Sequence, residues 1–443
     1  MSARSLRSNL ARGVTAFALV LTPHVARANG RYPAANQLVV DPDDPEHFLL
    51  RATYGLLSSH DGGETFSWIC EDVLGDVGEA DPAVAIVRDG RLVVTANDQL
   101  MLSDATGCEF TSALADQSAG FPVDVSLDPA DDSLALAVAR SGDGSGTVHL
   151  LEIDAISGTA RVTGTSLGND LFPLTLDGAP SAPERWYVTA LSTAPASILL
   201  RSDDRGNTWQ RVEVHPYEKL QAYLAAVDPN DENTVYVRVN DDPDDHLLVS
   251  HDAGDHFVDV SGFETKLLGF ALAPDGDSLA VGGPGVPVWL ANAGDLDFQP
   301  VGGPFSRLSC LKWTAAGIFA CADDRSDGFT LGLSADTGAT FTPLFHASEL
   351  TPLACDASTT VGSTCPGTWS SVVAQLGTAP TTSTTSSGSS SSATPGRSSQ
   401  TASCAATRSE AGPSAPWFFA VALGAAHRRR RERRAGRTKP SAR

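Results

Sequence analysis

The sequence predicts an all-β fold, a single seven-bladed β-propeller of four-stranded antiparallel blades. Three observations predict it: short apolar runs bounded by Asp, Pro and Gly, an eight-residue turn that recurs, and no long helical periodicity. The turn reads SHDGGETF at residues 59–66, SDDRGNTW at 202–209, SHDAGDHF at 250–257 and SADTGATF at 334–341. Aligned on it, repeats start near residues 59, 103, 154, 202, 250, 291 and 334, at spacings of 44, 51, 48, 48, 41 and 43. Each period holds four short strands and their turns.

The first copy runs 38–40, ending at Asp41-Pro42, then 48–52, then 55–58 into the turn, and 66–69 out of it. The second has 84–87, 92–95 and 100–103, with Phe110 opening its fourth strand. The third has 123–129, 134–138 and 148–153; the fourth 173–176, 186–190 and 198–200. The fifth has 223–227 before Asp228-Pro229, then 235–239 and 247–249. The sixth has 270–274, 279–281 and 288–290, and the seventh 311–314, 318–321 and 331–333. Three turns are worn: SDATGCEF at Ser103 lacks the central Asp, and the segments at Asp154 and Ala291 keep only turn character. A unit this small cannot bury its own faces, so units must stack around an axis, which also leaves few free edges. The Gly-His and Trp-Asp signatures of WD40 repeats are absent, and only residues 369–376 (WSSVVAQL) read as helix.

The two ends are signals. Arg4, Arg7 and Arg12, an apolar run at 13–21 and Ala26-Arg27-Ala28 form a leader over residues 1–28, cleaved after Ala28. The propeller is assigned to residues 29–378 and a Ser/Thr-rich linker, with little to bury, to 379–403. Residues 404–443 hold Cys404, the apolar run WFFAVALGAA and an Arg-rich cluster from Arg428. That order resembles the MYXO-CTERM sorting tail of myxobacterial surface proteins. The resemblance implies clipping near Cys404 and delivery to the cell surface, with membrane association only through the tail before processing. The run is about ten residues, shorter than the ~17–25 of a spanning helix.

Between the ends stand 17 basic and 51 acidic residues. Such a surface repels phosphate backbones, which excludes DNA and RNA as expected partners. Six cysteines in an exported chain favour disulfides. Proximity favours Cys310 with Cys321 and Cys355 with Cys365, leaving Cys70 with Cys108.

The pattern Ser-X-Asp-X-Gly-X-Thr-Trp/Phe resembles the Asp-box, or BNR repeat, of sialidases, xyloglucanase-type glycosidases, the sortilin ectodomain and the photosystem II assembly factors. The carriers are Ser59, Asp61, Gly63, Thr65 and Phe66, then Ser202, Asp204, Gly206, Thr208 and Trp209. They continue with Ser250, Asp252, Gly254 and Phe257, then Ser334, Asp336, Gly338, Thr340 and Phe341. Short oxygen-bearing side chains can satisfy the amides of a tight turn, Gly can take a left-handed angle, and the aromatic residue can anchor the turn. These are expected to be structural residues, on the rim and remote from any ligand.

No catalytic or metal site is legible. The Arg-Ile-Pro phrase of sialidases is missing, and Arg51, Arg88, Arg140, Arg185, Arg201 and Arg238 lie near strands at different blade positions. Arg51 and Arg238 share the end of a second strand, near the channel mouth or capping solvated ends. Among 51 acids no catalytic pair stands out. Histidines and cysteines lack zinc spacing, and no cofactor is expected; the loop 241–245 (DDPDD) leaves calcium open but lacks EF-hand framing. The expected function is non-enzymatic binding of a surface protein or glycan by a monomer, through loops of one face and the axial channel. The alternative is a glycoside hydrolase of sialidase or xyloglucanase type.

Overall fold

The computed structural model describes residues 33–377, except 76–80, 115–119, 195 and 261. The leader with Ala28, the linker, Cys404 and the rest of the tail lie outside the described residues.

Seven four-stranded antiparallel sheets form the ring of a β-propeller. They span residues 35–69, 84–112, 121–168, 171–213, 221–260, 269–300 and 310–345, here blades one to seven. Within a blade the strands pair in chain order from the inner to the outer edge. Burial follows that order. In blade one Phe48–Ala52 and Gly55–Ser59 are almost wholly buried, because neighbouring blades cover both their faces. At the periphery Gln210–Glu213 of blade four is largely exposed, and its sequence, QRVE, is accordingly polar. Apolar rows from adjacent blades interlock: Phe48 meets Phe319 edge-on at 5.1 Å, and Phe66 meets Phe345 at 4.7 Å.

The ends of the ring meet without sharing a sheet. Inner strand Cys310–Thr314 of blade seven lies beside Ala35–Val40 of blade one, yet each blade is made of consecutive strands. Closure is completed by the chain beyond blade seven. Thr351–Pro352 adds to blade one as a fifth, parallel strand on Ser67–Ile69, with Thr351 opposite Ser67 and Pro352 opposite Trp68. Helices Thr360–Thr364 and Trp369–Leu376 follow, the second where its sequence predicts it. Trp369 packs on Trp68 at 5.3 Å, and the Phe110 amide of blade two donates to Thr360 Oγ1 at 2.8 Å.

This return path corrects two disulfides. Cys310–Cys321 forms across paired strands as expected, but Cys70 bonds to Cys365 and Cys108 to Cys355. Proximity in sequence favours short loops. Here the last segment crosses blades one and two, so distant thiols meet with Cα atoms 5.3 and 5.5 Å apart. The two bonds clasp the C-terminal segment to the first two blades.

Four inner strands carry a bulge that the apolar pattern does not announce. Pairing skips Asn36 in blade one, Val123 in blade three, Leu174 in blade four and Ala225 in blade five. A bulge turns the strand and re-aims its side chains, here beside the axis.

Candidate functional site

The four Ser-X-Asp-X-Gly turns share one geometry. In the first, the Ser59 hydroxyl donates to Asp61 Oδ1 at 2.7 Å and accepts from the Gly63 amide at 3.0 Å. Asp61 accepts from the Thr65 amide at 2.9 Å and from its hydroxyl at 2.6 Å. The same bonds recur from Ser202 and Asp204 to Gly206 and Thr208, and from Ser334 and Asp336 to Gly338 and Thr340. In the third turn His256 replaces Thr and places Nδ1 2.7 Å from Asp252 Oδ2. Bonds from Thr340 and Ser334 hold the Asp336 carboxyl down at about 2, and those from His256 and Ser250 do the same for Asp252. Gly254 sits at φ 92°, and a Cβ there would meet Leu199 Cδ2 of the preceding blade. The residue before it, Ala253, is also left-handed at φ 61°.

Two of the worn turns are rebuilt on an earlier Asp. Asp104 accepts from the amides of Cys108 and Glu109, and Asp154 from those of Ile156 and Ser157. All these turns lie beside the junction of inner and second strands, since Ser59 pairs with Phe48 and Phe48 with Val40. This defines a turn face of the ring. The turns belong to blades one, four, five and seven, so they are not brought together into one site.

The opposite face carries the starts of the inner strands. Between blades one, four, five, six and seven the axis opens into a cavity of about 390 Å³. Its polar lining comes from Asn36, Gln37, Thr175, Tyr223, Arg238 and Lys312. Leu38, Leu224, Leu247, Leu267, Phe270 and Leu311 supply apolar wall. Among the described residues no Asp or Glu lines it. Arg238 extends from a second strand, places its guanidinium 5.0 Å from the centre of the Tyr223 ring and donates to Leu267 O at 3.1 Å. Arg51, at the matching position of blade one, donates to Asn36 Oδ1 at 2.9 Å and Pro82 O at 2.8 Å. Of the two arginines picked out together in the sequence, one lines the cavity and the other holds a lining residue.

The remaining arginines serve elsewhere. Arg88, Arg185 and Arg201 pair with Asp132, Asp203 and Asp255, while Arg140 lies 4.7 Å from the centre of the Phe172 ring. Two carboxyls beside the axis were not singled out in the sequence. Asp124 accepts from the Leu176 amide at 2.9 Å, and burial pushes its carboxyl up to about 7. Asp177 accepts from the Ser126 hydroxyl at 2.9 Å, and burial raises it too. Both tie one inner strand to the next, as Thr175 does by accepting from the Leu224 amide at 2.8 Å. Lys312 is enclosed by the ring, yet its side chain borders the open lumen and is solvent-accessible there. Enclosure lowers its ammonium group from the ordinary lysine range, with Asp177 opposing the shift.

Three large apolar side chains are exposed on this face. Phe121 and Phe172, near the starts of the inner strands of blades three and four, are 42% and 46% exposed, and Leu268 at the cavity edge is 43% exposed. The acidic loop 241–245 is wired inward instead. Asp245 Oδ2 accepts from the Leu267 amide at 3.0 Å and Lys266 Nζ lies 3.4 Å from Asp245 Oδ1. Among the described residues no group of three or more His, Cys, Asp or Glu is arranged to hold a metal ion.

No protein-family description and no curated protein matches the chain. Solved structures do, at low identity. A GH74 enzyme from Niastella koreensis is 15% identical over 69% of this chain and 62% of its own, with a TM-score of 0.34. The GH74 xyloglucanase from Xanthomonas campestris is 14% identical over 69% and 64%, with a TM-score of 0.33. A puromycin-hydrolyzing peptidase from Mycobacterium tuberculosis is 13% identical over 74% and 55%, with a TM-score of 0.49. The chain thus spans less than two thirds of each of these proteins.

Proposed function

We propose that the chain is an exported, surface-displayed propeller that binds a protein or glycan ligand without turning it over. Binding uses the face opposite the turns and the mouth of the axial channel. The observation that carries this reading is the mouth itself. Exposed Phe121 and Phe172 stand near inner-strand starts on the same face, and exposed Leu268 lines a cavity whose charged lining, among the described residues, is cationic. Aromatic and aliphatic side chains around a polar cavity give a ligand both contact area and orientation. Three disulfides belong to the chemistry of an oxidising compartment, in keeping with the leader and the sorting-type tail. The repeated turns are read as Asp-boxes that lock each blade at its rim. Their carboxylates are spent on amides and hydroxyls of the same turn.

Hydrolysis is the second reading, favoured by Tyr223 beside Arg238 and by the raised carboxyl of Asp124, as a general acid requires. Two features weigh against it. Asp124 and Asp177 already serve the inner-strand contacts and do not line the cavity, and burial raises the Tyr223 phenol, leaving it an O–H at neutral pH.

The test is a screen of residues 29–378 on a glycan array, on surface proteins and on aryl glycosides. Saturable binding lost in Phe121→Ser/Phe172→Ser, with no turnover, supports binding. Turnover abolished by Asp124→Asn or Asp177→Asn overturns it in favour of hydrolysis.

A further inference from the structure

The mouth says where a ligand docks; the cavity beneath it says what chemistry the ligand brings. Lys312 makes no hydrogen bond or ion pair among the described residues, although the chain carries 53 acidic residues against 31 basic ones. Asp177 is the charge it feels, and that carboxylate lies beyond ion-pair distance and is engaged with Ser126. Arg238 likewise has no carboxylate partner; its contacts are the Tyr223 ring and one carbonyl. Two unneutralised cations from blades seven and five therefore border one open-mouthed cavity.

A third group is also unsatisfied. Gln37 Oε1 is buried without a donor, on the inner strand of blade one that lines the same cavity. A buried acceptor left empty is costly, so the Gln37 amide gains by turning toward the cavity to meet a donor from a ligand. Leu38, Leu224, Leu247, Leu267 and Leu311 give the wall an aliphatic portion beside Phe270 and the polar Asn36, Thr175 and Tyr223. The volume of about 390 Å³ lies within the ~300–1,000 Å³ typical of small-molecule sites.

We propose that the axial cavity binds an organic carboxylate with an aliphatic body and one N–H or O–H donor. The carboxylate pairs with Lys312 and Arg238, the donor with Gln37, and the body with the leucines. This deepens the binding reading above, on which it rests for access through the mouth. Two sources share the chemistry, a free acylated or hydroxylated aliphatic acid and the carboxyl end of a peptide. A carboxylate that meets two cations makes charge-assisted bonds stronger than those of a neutral amide, so the head group should dominate selectivity.

The experiment is calorimetric titration of the full mature chain with N-acetyl-leucine, N-acetyl-leucinamide, glucuronate and a Gly-Gly-Leu peptide. Each is repeated on Lys312→Met and Phe121→Ser/Phe172→Ser, with melting temperatures recorded for every protein. N-Acetyl-leucine should bind saturably, at least tenfold tighter than its amide and than glucuronate. Lys312→Met should lose that tenfold preference while melting no lower than the parent, which separates lost binding from lost folding. A peptide that binds tighter than the free acid names a chain end as the source, and the reverse order names a free acid. Equal binding of acid and amide, glucuronate ahead of N-acetyl-leucine, no saturable binding, or an unchanged Lys312→Met overturns the inference. Loss of large-ligand capture in the Phe variants with N-acetyl-leucine binding intact separates a failure at the mouth from one in the cavity.

Discussion

Removing the outer bond of the C-terminal clasp tests how the ring is held shut. Cys70–Cys365 spans 295 residues and encloses Cys108–Cys355, which spans 247. On the chain-entropy relation a lone cross-link over loops of this size contributes about 5.5 kcal/mol. The two are nested, however. Once one is in place, the other restrains only the 48 residues by which their spans differ, for about 4 kcal/mol. Cys70→Ala/Cys365→Ala should therefore cost about 4 kcal/mol, and removing the second bond as well should cost more than the first removal did. Cys310–Cys321, with a separation of 11, should cost less, about 3 kcal/mol. Equilibrium urea unfolding under non-reducing conditions measures the three values. Fluorescence reports the clasp directly, because Trp369 lies 5.3 Å from buried Trp68. If the clasp variant loses less than the Cys310→Ala/Cys321→Ala variant, or if removing the second bond costs less than the first, the reasoning fails.

Other predictions follow from single positions. Ser202 is buried and its hydroxyl accepts from the Gly206 amide, so Ser202→Ala leaves a buried N–H unpaired and should cost about 1–3 kcal/mol by urea unfolding. Gly317 sits at φ 135°, with a Cβ position 2.2 Å from Ser334 O. Gly317→Ala should cost about 1–3 kcal/mol and lower the melting temperature, whereas Gly303→Ala, with open space, should not. Asp124 binds a proton more tightly folded, at about 7, than unfolded, near 3.8, so its contribution to stability falls as pH rises from about 4 to 7. Asp124→Asn keeps an acceptor for Leu176 and should flatten that slope in melting curves; an unchanged slope would remove the assignment. At the turn of blade five the raised His256 acts in the same sense as Asp124, and the lowered Asp252 in the opposite one. Stability from raised His256 is present below its unfolded pKa and lost as pH rises through the folded one, and stability from lowered Asp252 is lost as pH falls; His256→Thr should abolish the first.

The ring was legible because its signals are local. Runs such as Phe48–Ala52 and Leu331–Ser334 declare themselves by composition and by their bounding turns, and the repeat makes weak copies readable in the company of strong ones. Pairing of the cysteines was not legible, since it depends on where the chain returns after Phe345, a property of the assembled ring. The channel groups were half visible. Asp124, Asp177 and Lys312 each interrupt an apolar inner strand, and a polar residue at an alternating position of the first strand in a repeat marks the axis. The bulges at Asn36 and Ala225 hid that alternation in blades one and five by shifting its phase, so Gln37 and Tyr223 could not be placed beside Lys312 from spacing alone.

The clasp also imposes an order on synthesis. Cys70 and Cys108 leave the ribosome when only the first two blades exist, and each waits for a partner near the far end of the propeller. Until Cys310 and Cys321 are made, the two early thiols have only each other or a foreign thiol to pair with. Correct pairing therefore reports that all seven blades are in place, because only the finished ring delivers residues 355 and 365 to blades two and one. The bond acts as a completion mark: a truncated chain would lack it, and a cell could tell the two apart by thiol exposure alone.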